Sequence, residues 1–226
     1  MIRVISTLAV MGAMTAVAAR FEAETGTSIE TDFAPTVALL QRLRADEVAD
    51  VAILTAQGID DMIAAGIIRP GTRTDIALSV VGIAVKAGAP RPDISSVDAF
   101  RTTLLAARSV CYSKIGASGI FFAGLIDRLG IAPAINARAV IAASGFTAER
   151  VASGECDLAV QQISELMVVP GIEVVGPLPA EIQTTATFSG GILTRSTRPE
   201  QATSLLKFLA SPGIAPILRR TGLEPA

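Results

Sequence analysis

Residues 19–54, ARFEAETGTSIETDFAPTVALLQRLRADEVADVAIL, decide the fold. Phe21 closes an apolar stripe with Met14, Val17 and Ala18 at helical spacing, and Gly26 stops it, because glycine accepts the left-handed turn that ends helices. Ser28 to Phe33 alternates as a strand, Pro35-Thr36 opens a second helix running to about Asp46, and Ala49 to Leu54 is a strand of small and β-branched residues. With the short β-rich run Ile2 to Ser6 and a helix from Gly12 to Glu24 ahead of them, the order is β-α-β-α-β. Strands joined through helices pair in parallel, so this half of the chain predicts a parallel α/β layer.

Beyond it, Ile59 to Ala65 is a short helix ended by Gly66, and Ile67 to Gly71 is a turn rich in breakers. Ala77 to Lys86, ALSVVGIAVK, is one long apolar strand, followed by a Pro/Gly linker over Gly88 to Asp93 and a helix from Ser96 to Leu105 that Ser95 or Ser96 can cap. The alternation then repeats: strand Ser109 to Tyr112, helix from Ser118 to Leu129, strand Ala139 to Ala142, helix Thr147 to Ser153, strand Leu158 to Gln161. This is a second α/β lobe. Thr184 to Thr194 is again strand-like, and Pro199 to Leu209 is a helix. If Ala77 to Lys86 leads into the second lobe and Thr184 to Thr194 leads back, lobe 1 is discontinuous, residues 1–80 and 193–226, and lobe 2 is 81–192. Two crossing segments make a hinge over a cleft.

Composition narrows the chemistry. The 226 residues suffice for one large domain or two lobes of about 100 residues. Nineteen basic and 21 acidic residues are spread without a basic block, and aromatics are 4% of the chain, which excludes a nucleic-acid surface built from clustered charge and stacking rings. Apolar runs break well before the roughly 20 residues that span a bilayer, so no membrane insertion is expected. The chain has no histidine, which removes the commonest metal ligand and general base, so neither a metal nor a Ser-His-Asp triad is expected. Cys111 and Cys156, far apart and outside any CxxC, read as free thiols.

Met1 to Ala19 is apolar and ends in AVAA, like a signal peptide with a small-residue cleavage site. Only Arg3 supplies positive charge ahead of the run, and cleavage at Ala19 would delete the first strand and most of the first helix. The chain as written is expected in the cytoplasm, or in the periplasm if an export signal has been removed ahead of it.

With these elements placed, the chain resembles the type II periplasmic solute-binding proteins, and within them the molybdate-binding branch. The pieces that carry the resemblance are the 19–54 stretch, MIAAGII, KIGASGIFFAGLIDRLGI and the closing FLASPGIAPILRRTGLEP, in the family's order over most of the chain. More distantly it is similar to an aconitate isomerase built on the same fold. The resemblance implies a two-lobed α/β architecture, mixed sheets flanked by helices, with an anion held between lobes by hydroxyls and backbone N–H groups at helix starts. Such donors suit anions, because a helix N-terminus offers unpaired N–H groups and about half a positive charge. It implies no cofactor, a monomer, a small anionic ligand as partner, and an ABC permease if the chain is exported.

Four places fall where those donors belong: Ser6 and Thr7 after the first strand, Thr36 before the second helix, Gly116, Ala117 and Ser118 at the start of a lobe-2 helix, and Gln161 with Gln162 after a lobe-2 strand. The sequence departs from the molybdate binders in three of these. Ala9 stands at a ligating serine, Pro35-Thr36-Val37 at a Ser-Ser-Gly, and Gln161-Gln162 at a Val-Tyr pair. Carboxamides and the nearby Lys114 suit a planar carboxylate, because Gln both donates and accepts and Lys adds charge. The expected ligand is therefore an oxyanion or a small di- or tricarboxylate, captured by hinge closure. The alternative is a cytoplasmic isomerase of a small unsaturated carboxylate, with Lys114, Tyr112 or Glu165 moving the proton.

Overall fold

A computed structural model describes residues 1–226. The chain divides into two compact units, residues 1–79 with 186–226, and residues 80–185. It passes between them twice, at Ser79–Val80 within one strand and at Thr185–Ala186 at the head of another.

Unit 1 opens with β1 (Ile2–Thr7), a single 3-10 turn at Leu8–Val10, and α1 (Met11–Thr25). Gly26 ends α1 at φ 68°, its N–H bonded to Glu22 O. Then come β2 (Ile29–Ala34), α2 (Thr36–Arg44), β3 (Val51–Thr55) and α3 (Ala56–Ala64). β1 pairs in parallel with β2 on one side and β3 on the other. Alternation along these strands divides two cores. Ile2, Val4, Val51 and Ile53 join Phe21 of α1, while Ile5, Ala52 and Leu54 join Leu39 of α2 and Ile59 of α3. Because both of its faces are covered, β3 reads as a nearly unbroken apolar run, whereas β2, at the edge, alternates.

β4 (Thr74–Lys86) begins in unit 1 and ends in unit 2. Unit 2 continues with α4 (Val97–Ala106), capped by the Ser96 hydroxyl accepting from Ala99 N–H, then β5 (Val110–Ser113), α5 (Ala117–Arg128), α6 (Ala132–Asn136), β6 (Ala139–Ala142), α7 (Thr147–Ala152), β7 (Leu158–Gln162), α8 (Ile163–Leu166) and β8 (Ile172–Pro177). β5 lies parallel to β6 and β7, whereas β7 and β8 both run antiparallel to β4, so the sheet is mixed. Val110, Tyr112, Leu158 and Val160 face Phe100, Phe122 and Ile126. The alternate residues, Cys111 and Ala159, are small and fully buried, and α7 packs on β5 and β7 through Ala148 and Val151.

β9 (Thr185–Ile192), α9 (Pro199–Leu209), α10 (Ala215–Arg220) and β10 (Glu224–Pro225) complete unit 1. β9 is antiparallel to β3, from Thr55↔Phe188 to Val51↔Ile192, and so clusters with unit 1 from Ala186 onward, where the alternation alone carried lobe 2 through residue 192. Gly190 and Gly191 let α9 and the Ile68 turn approach it, because a Cβ at either would lie 2.3 Å from Leu206 Cδ2 or 2.7 Å from Ile68 Cγ2.

α6, β8 and β10 had no counterpart in the sequence reading. α6 and β10 are too short for periodicity to show, and β8 ends in Gly176-Pro177, which reads as a turn. No helix is long and apolar enough to cross a membrane.

Candidate functional site

Each unit gathers its candidate residues at the carboxyl ends of its own parallel strands, the edge where open α/β layers bind ligands. In unit 1, Ser6 and Thr7 end β1 in register with Phe33 and Ala34 of β2. Ser6 is fully buried, and its hydroxyl donates to Thr7 O at 3.1 Å. Thr7 precedes the 3-10 turn, and its side chain makes no capping bond. α2 begins one residue earlier than a Thr36 cap would require. Pro35 holds the cap position, and Thr36 is the first helical residue. Its Oγ1 is buried without a hydrogen-bond partner. The first helical bond, from Leu39 N–H to Pro35 O, leaves the N–H groups of Thr36, Val37 and Ala38 free of the helix ladder. Thr55, missed in the sequence, ends β3 at the same edge and caps α3 by accepting from Gly58 N–H at 3.2 Å. The signal was a hydroxyl at the end of a strand, the same pattern that singled out Thr7.

In unit 2, β5 delivers Ser113, whose Oγ accepts from both Ile115 N–H and Gly116 N–H at 3.2 Å. Gly116 is the cap residue of α5, and Ala117, Ser118 and Gly119 present its first N–H groups, with Ser118 buried and no side chain capping them. Lys114, between these groups, is exposed. Tyr112 points the other way along the strand alternation, into the core, edge-on to Phe122 with ring centroids 5.1 Å apart and its hydroxyl donating to Asn136 Oδ1 at 2.6 Å.

β7 delivers the carboxamides. Gln161 Oε1 accepts from Thr147 N–H at 2.8 Å and from Thr147 Oγ1 at 2.9 Å, which fixes the start of α7 and engages Gln161 in positioning. Thr147, also missed, is fully buried. Gln162 takes the cap position of α8, where it and Glu165 face each other in a capping box, and its buried Oε1 is left without a completed hydrogen bond. Glu165, three residues on, accepts from Gln162 N–H at 3.2 Å. Burial pushes this carboxyl up to about 7, against the opposing pull of its bonds from Gln162 N–H and the Gln161 side chain. Ser6, Thr7 and Thr36 are thus brought together in one unit, and Gly116, Ala117, Ser118, Gln161, Gln162 and Glu165 in the other.

Nothing in either group is a metal-binding constellation. Cys111 and Cys156 are free and buried, and burial beside Cys156 drives the Cys111 thiol up to about 12, which makes it a poor nucleophile.

The fold, with its neutral donors at strand ends, is that of a solute-binding protein, and the chain belongs to the bacterial extracellular solute-binding protein family, whose pattern matches residues 2–224. Over 228 aligned residues it is 36% identical to an aconitate isomerase of a Pseudomonas species, covering 98% of this chain and 87% of that one. The periplasmic molybdate-binding protein of Azotobacter vinelandii superposes with a TM-score of 0.84 over 99% of this chain and 98% of its own, at 17% identity. A sulfate-binding protein of Mycobacterium tuberculosis superposes at 0.80 over 100% and 86%, at 16% identity. These two share the fold. Aconitate isomerase shares much more of the sequence.

Proposed function

We propose that this protein captures a small polycarboxylate of the aconitate class through the donors at its strand-end edges. One observation carries the reading. Each edge holds a buried polar side-chain atom without a partner, Thr36 Oγ1 in one unit and Gln162 Oε1 in the other. Buried polar groups are generally paired, and of the three unpaired side-chain atoms, the third being Arg138 Nε, these two stand at strand ends and are suited to a ligand. The Thr36 hydroxyl can donate to a carboxylate, and the Gln162 carboxamide can offer its oxygen or, after a half-turn, its N–H. Thr7, the free N–H groups of α2 and those at Ala117 and Ser118 supply further donors. The 36% identity to an aconitate isomerase supports a planar carboxylate over a tetrahedral oxyanion. In an exported chain, the protein would deliver its ligand to an ABC permease.

Calorimetric titration tests this with both aconitate isomers, citrate, molybdate and sulfate. The tricarboxylates are expected to bind, and Thr36→Val and Gln162→Leu each to weaken them at least about tenfold, the scale of one lost hydrogen bond to a charged group. Binding of molybdate or sulfate alone would refute the carboxylate reading.

A second reading, turnover of the same ligand, is favoured by Glu165. A carboxyl held near 7 beside Gln162 has the affinity that proton transfer at neutral pH needs. In that reaction the base breaks a methylene C–H bond, the electron pair spreads into the adjoining unsaturated carboxylate, and the proton returns to the far carbon as the double bond shifts. Lys114 would steady the developing charge. Absorbance of each aconitate isomer follows turnover directly. Loss in Glu165→Gln with binding retained supports the role, and full activity in that variant refutes it.

A further inference from the structure

Unit 2 carries a second hollow at the other ends of its strands. β4 and β7 are antiparallel with Val81 opposite Gln162 and Ala84 opposite Ala159, so Lys86 and Leu158 lie at the edge away from the carboxamides. At about 3.3 Å per residue, some 13 Å of strand separates Leu158 from Gln162. There the end of β4, the Pro90 and Pro92 linker, the last turn of α4 and the Gly154 turn line an open cavity of about 480 Å³. That is within the roughly 300–1,000 Å³ of small-molecule sites.

Its walls are mostly apolar, from Val85, Ala106 and Leu158, and its charge is uneven. The Arg108 guanidinium pairs with Asp157 through Nε at 3.2 Å and through Nη2, and Arg108 N–H donates to the same carboxylate at 2.8 Å. That bonding lowers the pKa of the Asp157 carboxyl and keeps it ionised beside the guanidinium, so the two charges cancel. Lys86 takes part in none of the molecule's ion pairs. Its Nζ leans over Gly154, where a Cβ would come within 3.7 Å of it. The carbonyl end of α4 would repel an anion, but Arg138 Nη2 donates to Leu104 O at 3.0 Å and Leu105 O at 2.7 Å and offsets it. The Thr103 hydroxyl is engaged with Asp93 O at 2.7 Å. What the cavity offers is an apolar body space and one uncompensated cation at the rim.

We propose that this cavity binds a small amphipathic monoanion, a ring-sized or short-chain apolar body with a single carboxylate or sulfonate head at Lys86. It is separate from the polycarboxylate edge. A tricarboxylate is unsuited to it, because one lysine cannot offset three charges against apolar walls.

The test uses the whole chain and anilinonaphthalene sulfonate, an apolar ring system with one anionic head, read by fluorescence. One saturable site is expected, displaced by octanoate but not by octylamine, and undisturbed by saturating aconitate. Lys86→Glu is expected to weaken the dye about tenfold by reversing the rim charge, and Ala106→Trp to abolish binding by filling the space. Both positions are exposed, and both variants are expected to keep the wild-type melting temperature. Amide NMR shifts with octanoate should cluster at residues 85–92, 103–108 and 154–158. Dye affinity unchanged in both variants, displacement by octylamine as effective as by octanoate, or shifts clustered elsewhere would overturn the proposal. Competition by aconitate would place the dye at the other edge and overturn it too, leaving the polycarboxylate reading standing.

Discussion

A Cβ on Gly119 would lie 1.5 Å from the carbonyl oxygen of Ser113. The third residue of α5 therefore rests directly on the end of β5, and the helix start is pressed onto the strand that aims it. Ser113 reinforces this from its other side, its hydroxyl accepting from Ile115 and Gly116 N–H. The small residues of KIGASG thus fix where the free N–H groups of the helix stand.

Gly119→Ala is accordingly expected to lose at least about 3 kcal/mol, since backbone cannot yield as a side chain would. Gly116→Ser is the control. Its Cβ would meet Ser113 Oγ at 3.6 Å, an ordinary contact, at an unstrained φ of −95°. It should stay within about 0.5 kcal/mol of wild type by urea unfolding.

Thr36→Val should separate stability from function. The Thr36 hydroxyl is buried unpaired, so an isosteric apolar group removes a desolvation cost and is expected to stabilise the ligand-free protein by about 1 kcal/mol. The same change should weaken tricarboxylate binding. A variant that melts lower without ligand would indicate that the hydroxyl serves the fold.

Glu165 gives a pH dependence whose sign is fixed by its direction of shift. Its carboxyl rises from 4.5 to about 7 on folding, so between those values the folded state binds more protons than the unfolded. Stability from this group is whole below about pH 4.5 and is lost as pH climbs through 7, by about 3 kcal/mol. Glu165→Gln should abolish that slope in urea midpoints measured from pH 5 to 8 without ligand.

Asp50 tests the long-range frame of unit 1. Nearly buried, it accepts from Arg3 N–H at 3.0 Å and from the Ser196 hydroxyl at 2.7 Å, with Arg198 Nη1 at 3.6 Å. Asp50→Ala strands these donors and should cost about 3 kcal/mol, and Asp50→Asn, which keeps an acceptor, clearly less.

The alternation of strands and helices, the stop at Gly26, the Ser96 cap and the small-residue start of α5 were all legible in the sequence, because each is a local rule acting over one or two turns. So was the position of Thr36 and Gln162 at strand-to-helix junctions of apolar elements. Which of the neighbouring polar groups are free was not legible. Gln161 and Gln162 are adjacent, yet one is taken by Thr147, 14 residues back, and the other is left unpaired. Tyr112 and Ser113 are adjacent, and strand parity sends one to the core and the other to the helix start. β9 joined unit 1 through its pairing with β3, more than 130 residues earlier in the chain. Local sequence sets what each segment becomes. Pairing between distant strands sets which side chains meet, which groups lose water without gaining a partner, and hence what is left for a ligand.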